Sequence, residues 1–101
     1  MDGVARATVP TDHARRLCEG HFPGDPIVPG AFVAGLMADV AAALFPGGAR
    51  LVEVERAVFF RRLTPDAPIA VTARLENATR VAAEVRTRDG CAARATLRFA
   101  P

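Results

Sequence analysis

The chain has no tryptophan and no tyrosine, and of its 101 residues only two are cysteines and two are histidines. Without Trp and Tyr the usual stacking platforms for single-stranded nucleic acid are missing, and a net charge of +2 is too mild to hold a polyanion by electrostatics alone. Cys18 and Cys91 lack CxxC spacing and are too few for a disulfide scaffold, so a reducing, cytoplasmic setting with two structural thiols is the expectation. His13 and His21 match no metal-ligand spacing, and no metal or other cofactor is expected. The first ten residues contain no apolar core of a leader. The longest apolar run, Ala31 to Phe45, is broken by Asp39 and is short for a membrane span. A soluble chain is expected.

What remains is a sequence that is half hydrophobic and long enough for one core, with no room for a second domain. A single domain over residues 1–101 is therefore expected. Its positive charge is carried by arginine and suits an anionic partner.

Val4 to Val9 reads as a short opening strand, and Pro10 to His13 as a turn or helix start capped by Thr11 or Asp12. From Gly20 to Gly30 the density of Gly and Pro rules out regular structure and makes a stiff loop. Ala31 to Leu44 then predicts a helix that is hydrophobic on every side, the pattern of a helix wrapped by other structure, with Asp39 its only charge. Gly47 or Gly48 is expected to cap its C-terminal end.

Beyond Gly48 the period changes from helical to alternating. Val52, Val54, Val58 and Phe60 are expected on one strand face, with Glu53 and Glu55 on the other. Ile69, Val71, Ala73 and Leu75 repeat the pattern, followed by Val81, Ala83 and Val85, then Ala93, Ala95, Leu97 and Phe99. Residues 63–68, 76–80 and 88–90 carry turn chemistry, with Asp89-Gly90 the best hairpin signal. An antiparallel sheet must cover its apolar face, and the one apolar helix is the filling on offer. The fold class predicted is α+β, a single antiparallel sheet around a central helix.

The run His21, Phe22, Pro23, Gly24, Asp25, Pro26, Ile27, Val28, Pro29, Gly30 resembles the signature of the hotdog-fold 3-hydroxyacyl-ACP dehydratases of fatty-acid and polyketide synthesis. There His-Phe-Pro-Gly, a short spacer and Pro-Gly lead into the central helix. The resemblance implies the same hotdog fold reached above from periodicity. It also implies an acyl carrier protein as partner, and a dimer in which the His of one subunit meets the acid of the other beside an acyl tunnel.

Dehydration of a 3-hydroxyacyl thioester needs a base for the C2 proton, an acid for the leaving C3 hydroxyl, and a donor on the thioester oxygen. The resemblance assigns the base to His21, whose ordinary pKa of about 6.5 suits the task; a structural histidine is the alternative. It assigns the carbonyl donor to the backbone N–H of Gly30, where the unpaired amides and positive dipole end of a helix favour negative charge. The alternative is that Gly30 only permits the turn.

The acid is absent from its family position, which here is Gly35. A glycine weakens a helix by about 1 kcal/mol relative to Ala, so a packing or space requirement is expected there, such as an approaching acyl chain or partner helix. Asp39 is the substitute candidate, on the same helix face and about 6 Å further along the axis. Burial on an apolar helix would keep its carboxyl protonated, as a general acid requires; a solubilising surface role is the alternative.

Phe22, Pro29, Gly35, Phe59 and Phe60 are the substrate-binding candidates. Arg61 and Arg62 are the carrier-protein candidates, a solvated strand end being the alternative, and Arg15, Arg16 and Arg80 cannot be ranked against them. Asp25 is expected to form a turn. Three functions compete: a dehydratase-like enzyme with His21 as base; a non-catalytic or half-catalytic subunit that binds the acyl carrier or pairs with a homologue supplying the acid; and, with less support, an acyl thioesterase built around Asp25.

Overall fold

The computed structural model describes residues 3–11, 14, 16, 30–64 and 67–100. In chain order they form β1 (Val4–Val9), α1 (Gly30–Ala42), β2 (Arg50–Phe59), β3 (Ile69–Leu75), β4 (Arg80–Thr87) and β5 (Gly90–Ala100). The strands make one antiparallel sheet in the order β1-β3-β4-β5-β2, and α1 packs on one side of it, chiefly against β3 and β4. This is the hotdog architecture, and the opening strand lies where the sequence places it.

Strand alternation explains most of the core. Ile69, Val71 and Ala73 of β3, Val81, Ala83 and Val85 of β4, and Ala93, Ala95, Leu97 and Phe99 of β5 are buried on the helix side. From α1, Val33, Met37 and Ala41 descend onto them at a spacing of four, and Leu44 continues the stripe. A helix of this length is marginal alone in water, so burial of that stripe holds it. Past Ala42 the chain tightens, with the N–H groups of Ala43, Leu44 and Phe45 donating to the carbonyls of Val40, Ala41 and Ala42. Gly48 then turns at φ +86° and donates to the Phe45 carbonyl, satisfying the predicted glycine stop. The Phe45 ring rests on Phe99, 4.9 Å between centroids, and ties this end of the helix to β5.

The turns follow their side chains. Asn77 Oδ1 accepts the N–H groups of Thr79 and Arg80, both at 2.9 Å, and closes the β3–β4 connection. Gly90, at φ +113°, pairs with Thr87 across the β4–β5 hairpin, where the Asp89-Gly90 signal falls.

Two expectations are corrected. Val52, Val54, Val58 and Phe60 do not share a face, because β2 carries two β-bulges. Val52 is inserted between the pairs Leu51↔Phe99 and Glu53↔Arg98, and Glu55 between Val54↔Leu97 and Arg56↔Thr96. Directly paired residues lie on the same side of a sheet, so Leu51, Val54, Ala57 and Phe59 turn to the helix side, and Glu53, Arg56 and Val58 turn away. The bulges are pinned outside by Arg80, which forms two 3.0 Å bonds to the Glu55 carboxylate, and by Arg98, which reaches Glu53 at 3.2 Å. The bond to Glu55, and then its charge, hold the Arg80 guanidinium protonated to a still higher pH than usual.

The second correction concerns α1, which is not wrapped on all sides by its own chain. Phe32, Gly35, Asp39, Ala42 and Ala43 form an exposed face opposite the buried stripe. Because α1 leans toward β3 and β4, the helix side of β2 is also left open. Leu51 is 38%, Val54 45% and Phe59 50% exposed. The helix is apolar nearly all round, but the described residues of the chain cover only one face of it.

Candidate functional site

Gly30 opens α1, so its backbone N–H belongs to the first turn, whose amides have no partner within the helix. Phe59, the last residue of β2, turns to the same side and brings its ring to 3.8 Å from where a Cβ on Gly30 would stand. Beyond Phe59 the chain is held against β5 at Ala92, a residue inserted between the pairs Val85↔Ala93 and Arg86↔Cys91, whose carbonyl accepts the N–H of Phe60 at 2.8 Å and of Arg61 at 3.3 Å. Leu63, 3% exposed, anchors the far end of this segment in the core. The result is a cleft of about 360 Å³ at the helix N-terminus, lined among others by Gly30, Val33, Phe59, Arg61 and Arg62.

Five of the sequence candidates therefore meet at one place. Gly30, Phe59, Phe60, Arg61 and Arg62 all line the cleft, although Phe59 and Phe60 do so differently. Phe59 faces the helix. Phe60 carries the Arg94 guanidinium over its ring, 5.2 Å from the centroid, on the outer side of the sheet. Val33, Leu63 and Arg94 were not foreseen as neighbours of the cleft; a helix-face valine and a turn leucine carry no chemical signal, and Arg94 is one of several arginines at outward strand positions.

His21, Phe22 and Pro29 lie outside the described residues, as do His13, Arg15, Cys18 and Asp25. Gly35 and Asp39 are described and lie on the exposed face of α1 rather than in the cleft lining. Among the described residues, no atom beyond the adjoining residues and backbone of α1 itself lies within 4 Å of a Cβ placed on Gly35, so the glycine answers no close approach from the described part of its own chain. Asp39 stands exposed, and the burial asked of a general acid is not supplied within one chain. Cys91 is half-buried, with its thiol 3.5 Å from the Ala93 carbonyl, a structural placement.

Among the described residues no three His, Cys, Asp or Glu side chains come together as a metal site would need, and no helix is long and apolar enough to cross a membrane. Chemically, the cleft offers a helix N-terminus to an oxyanion or polarised carbonyl, an aromatic wall, and cations at its mouth.

Among solved structures, the chain is similar to the dehydratase heterocomplex ApeI:P from Xenorhabdus doucetiae, at 19% identity over 100% of this chain and 90% of that one, with a TM-score of 0.84. It is also similar to a mutant acyl-CoA hydrolase from Staphylococcus aureus, at 12% identity over 98% of this chain and 66% of that one, with a TM-score of 0.78. A conserved protein from Pseudomonas aeruginosa gives 24% identity, 98% and 81% coverage, and a TM-score of 0.74. At these identities the likeness establishes the shared fold. No curated protein matches the chain in sequence. The model of the ApeI-like family, described as ApeI dehydratase, matches residues 2–96. With nearly the whole chain inside that match, the protein belongs to the ApeI-like dehydratase family of the hotdog fold.

Proposed function

We propose that the chain is one subunit of a two-chain hotdog dehydratase, acting in the cytoplasm on a β-hydroxyacyl thioester of fatty-acid or polyketide synthesis delivered by acyl carrier protein. A homologous hotdog subunit supplies the acid that this chain lacks. The observation that carries the proposal is Gly35, which puts no side chain where the related dehydratases have their carboxylate, on a helix face that stands uncovered. The heteromeric character of the ApeI:P complex from Xenorhabdus doucetiae supports the same reading.

In the proposed reaction His21 takes the C2 proton, and the charge that develops on the thioester oxygen is stabilised by the Gly30 N–H at the head of α1. The partner's carboxylic acid protonates the C3 hydroxyl, which leaves as water while the C2 electron pair closes the C2=C3 double bond. Imidazolium and carboxylate then return to their starting forms by proton exchange with solvent. Phe59 lines the path of the acyl chain, the motif residues Phe22 and Pro29 are assigned to substrate binding by the resemblance alone, and Arg61 and Arg62 receive the acidic carrier. Only one of the two sites in such a dimer works, because the partner's base faces Gly35.

The test is co-expression with each homologous hotdog chain encoded beside its gene, followed by assay of the purified complex with 3-hydroxyacyl-ACP. Water loss by the complex but not by the chain alone is expected. His21→Ala in this chain should abolish it, and the matching change in the partner should not. Dehydration by the unmixed chain would refute the two-chain reading, and release of free thiol would replace it with a thioesterase.

A further inference from the structure

By the strand register Arg56, Val58, Ala82, Arg94 and Thr96 turn to the outer side of the sheet, away from α1. Ala82 and Thr96 are small and pair with each other, and over them lies a groove of about 420 Å³ walled by Arg56, Val58, Arg94 and Phe60. Arg56 and Arg94 are diagonal neighbours across β2 and β5, a separation that long side chains span.

These two arginines differ from the others on this side. Arg80 is engaged by Glu55, Arg86 by Glu84 and Arg98 by Glu53, whereas among the described residues no carboxylate reaches Arg56 or Arg94. Glu84 stands opposite Arg94 in register, but its carboxylate accepts from Arg86 at 3.0 Å. Glu76 also lines the groove, at the end away from Phe60, where its charge acts on Arg80. Two guanidinium forks and the Thr96 hydroxyl thus face the groove with donors to spare, the donor set that suits a phosphate.

Phe60 lines both this groove and the cleft at the head of α1. Because β2 is an edge strand, a ligand in the cleft that passes Phe60 around the end of β2 enters the groove without crossing another strand of the sheet. We propose that the groove holds the phosphate of a phosphopantetheine arm. Arg56, Arg94 and Thr96 take its oxygens, and the arm runs over Phe60 to set its thioester beside Gly30. The inference rests on the thioester reading above. Arg61 and Arg62 line the cleft that receives the thioester itself, so the phosphate at the other end of the arm lies further out than they do.

Calorimetric titration of the purified protein with 4′-phosphopantetheine and with pantetheine, which lacks the phosphate, provides the test. The phosphorylated arm should bind about tenfold more tightly or better, and Arg56→Gln or Arg94→Gln should each bring the two to within about threefold. Arg6→Gln, the same change of charge on the same side of the sheet but at its far edge, should leave the preference intact. Holo acyl carrier protein and coenzyme A, titrated in parallel, separate the two sources of the arm: Arg94→Gln should weaken the carrier protein, and weakening of coenzyme A alone would keep the phosphate site but change its source. Equal binding of pantetheine and phosphopantetheine, or a preference that survives both groove variants, would overturn the assignment. A two-chain complex without turnover but with the phosphate preference would refute the dehydratase reaction alone, and turnover without the preference would refute this site alone.

Discussion

The Phe59 ring and Gly30 are in ordinary van der Waals range, with 3.8 Å between the ring edge and the point where a Cβ on Gly30 would stand. A methyl group fits there, so Gly30→Ala should keep both the fold and the N–H. Gly30→Pro suits the first helical position but deletes that N–H. In the active complex the alanine variant should keep kcat within a few-fold, whereas the proline variant should lose roughly 100-fold or more. Steady-state kinetics beside far-UV circular dichroism would separate lost chemistry from lost helix.

Gly35→Ala should stabilise the isolated chain. Open space surrounds the position, so only the helix propensity changes, by about 1 kcal/mol in favour of alanine. For a domain of this size that corresponds to a rise in Tm of roughly 4–8 °C. Calorimetry that found a lower Tm would mean that the glycine is required inside the chain.

Met37, two residues on and on the opposite face of α1, should behave in the contrary way. Its side chain is fully buried, and Met37→Ala would open a cavity in the centre of the core. A loss of about 2–5 kcal/mol is expected, a large part of the total for a small domain. Urea unfolding should show a lower midpoint with little change in slope.

Glu55→Gln should loosen β2 without unfolding the sheet. Glu55 accepts from Arg80 at 3.0 Å and forms an ion pair with Arg98 at 3.6 Å, and these contacts fasten the edge strand across β5 to β4. Amide hydrogen exchange should quicken along β2 while β3 and β4 keep their protection, and raised salt should imitate the variant in the wild-type chain. Uniformly faster exchange would show that the pairs support the whole sheet.

The sheet was legible wherever strands pair without interruption. In β3 and β4, and in β5 beyond the inserted Ala92, every buried residue belongs to the alternating apolar set, because period two is a property of each strand. β2 was misread since a bulge is set by the partner strand: nothing within Leu51 to Phe59 marks Val52 and Glu55 as the residues left out of register. The uncovered face of α1 was hidden for a related reason. An apolar residue signals that something covers it, and the sequence does not say which chain does so. At the cleft, Gly30 and the Phe59 to Arg62 segment were found from motif and strand end, while Val33 and Leu63, ordinary core residues by type, were not.

The bulges in β2 have a consequence for how the site tolerates change. Each extra residue reverses the phase of the strand, and the second restores what the first reversed, so that Leu51 and Phe59 both turn to the helix side. Loss of Val52 or of Glu55 alone would leave the two ends of the strand out of step, either swinging Phe59 away from Gly30 or exposing the other end of the row. Loss of both would keep both ends in step. The aromatic wall of the cleft thus depends on a parity, an even number of insertions, rather than on the identity of the residues inserted.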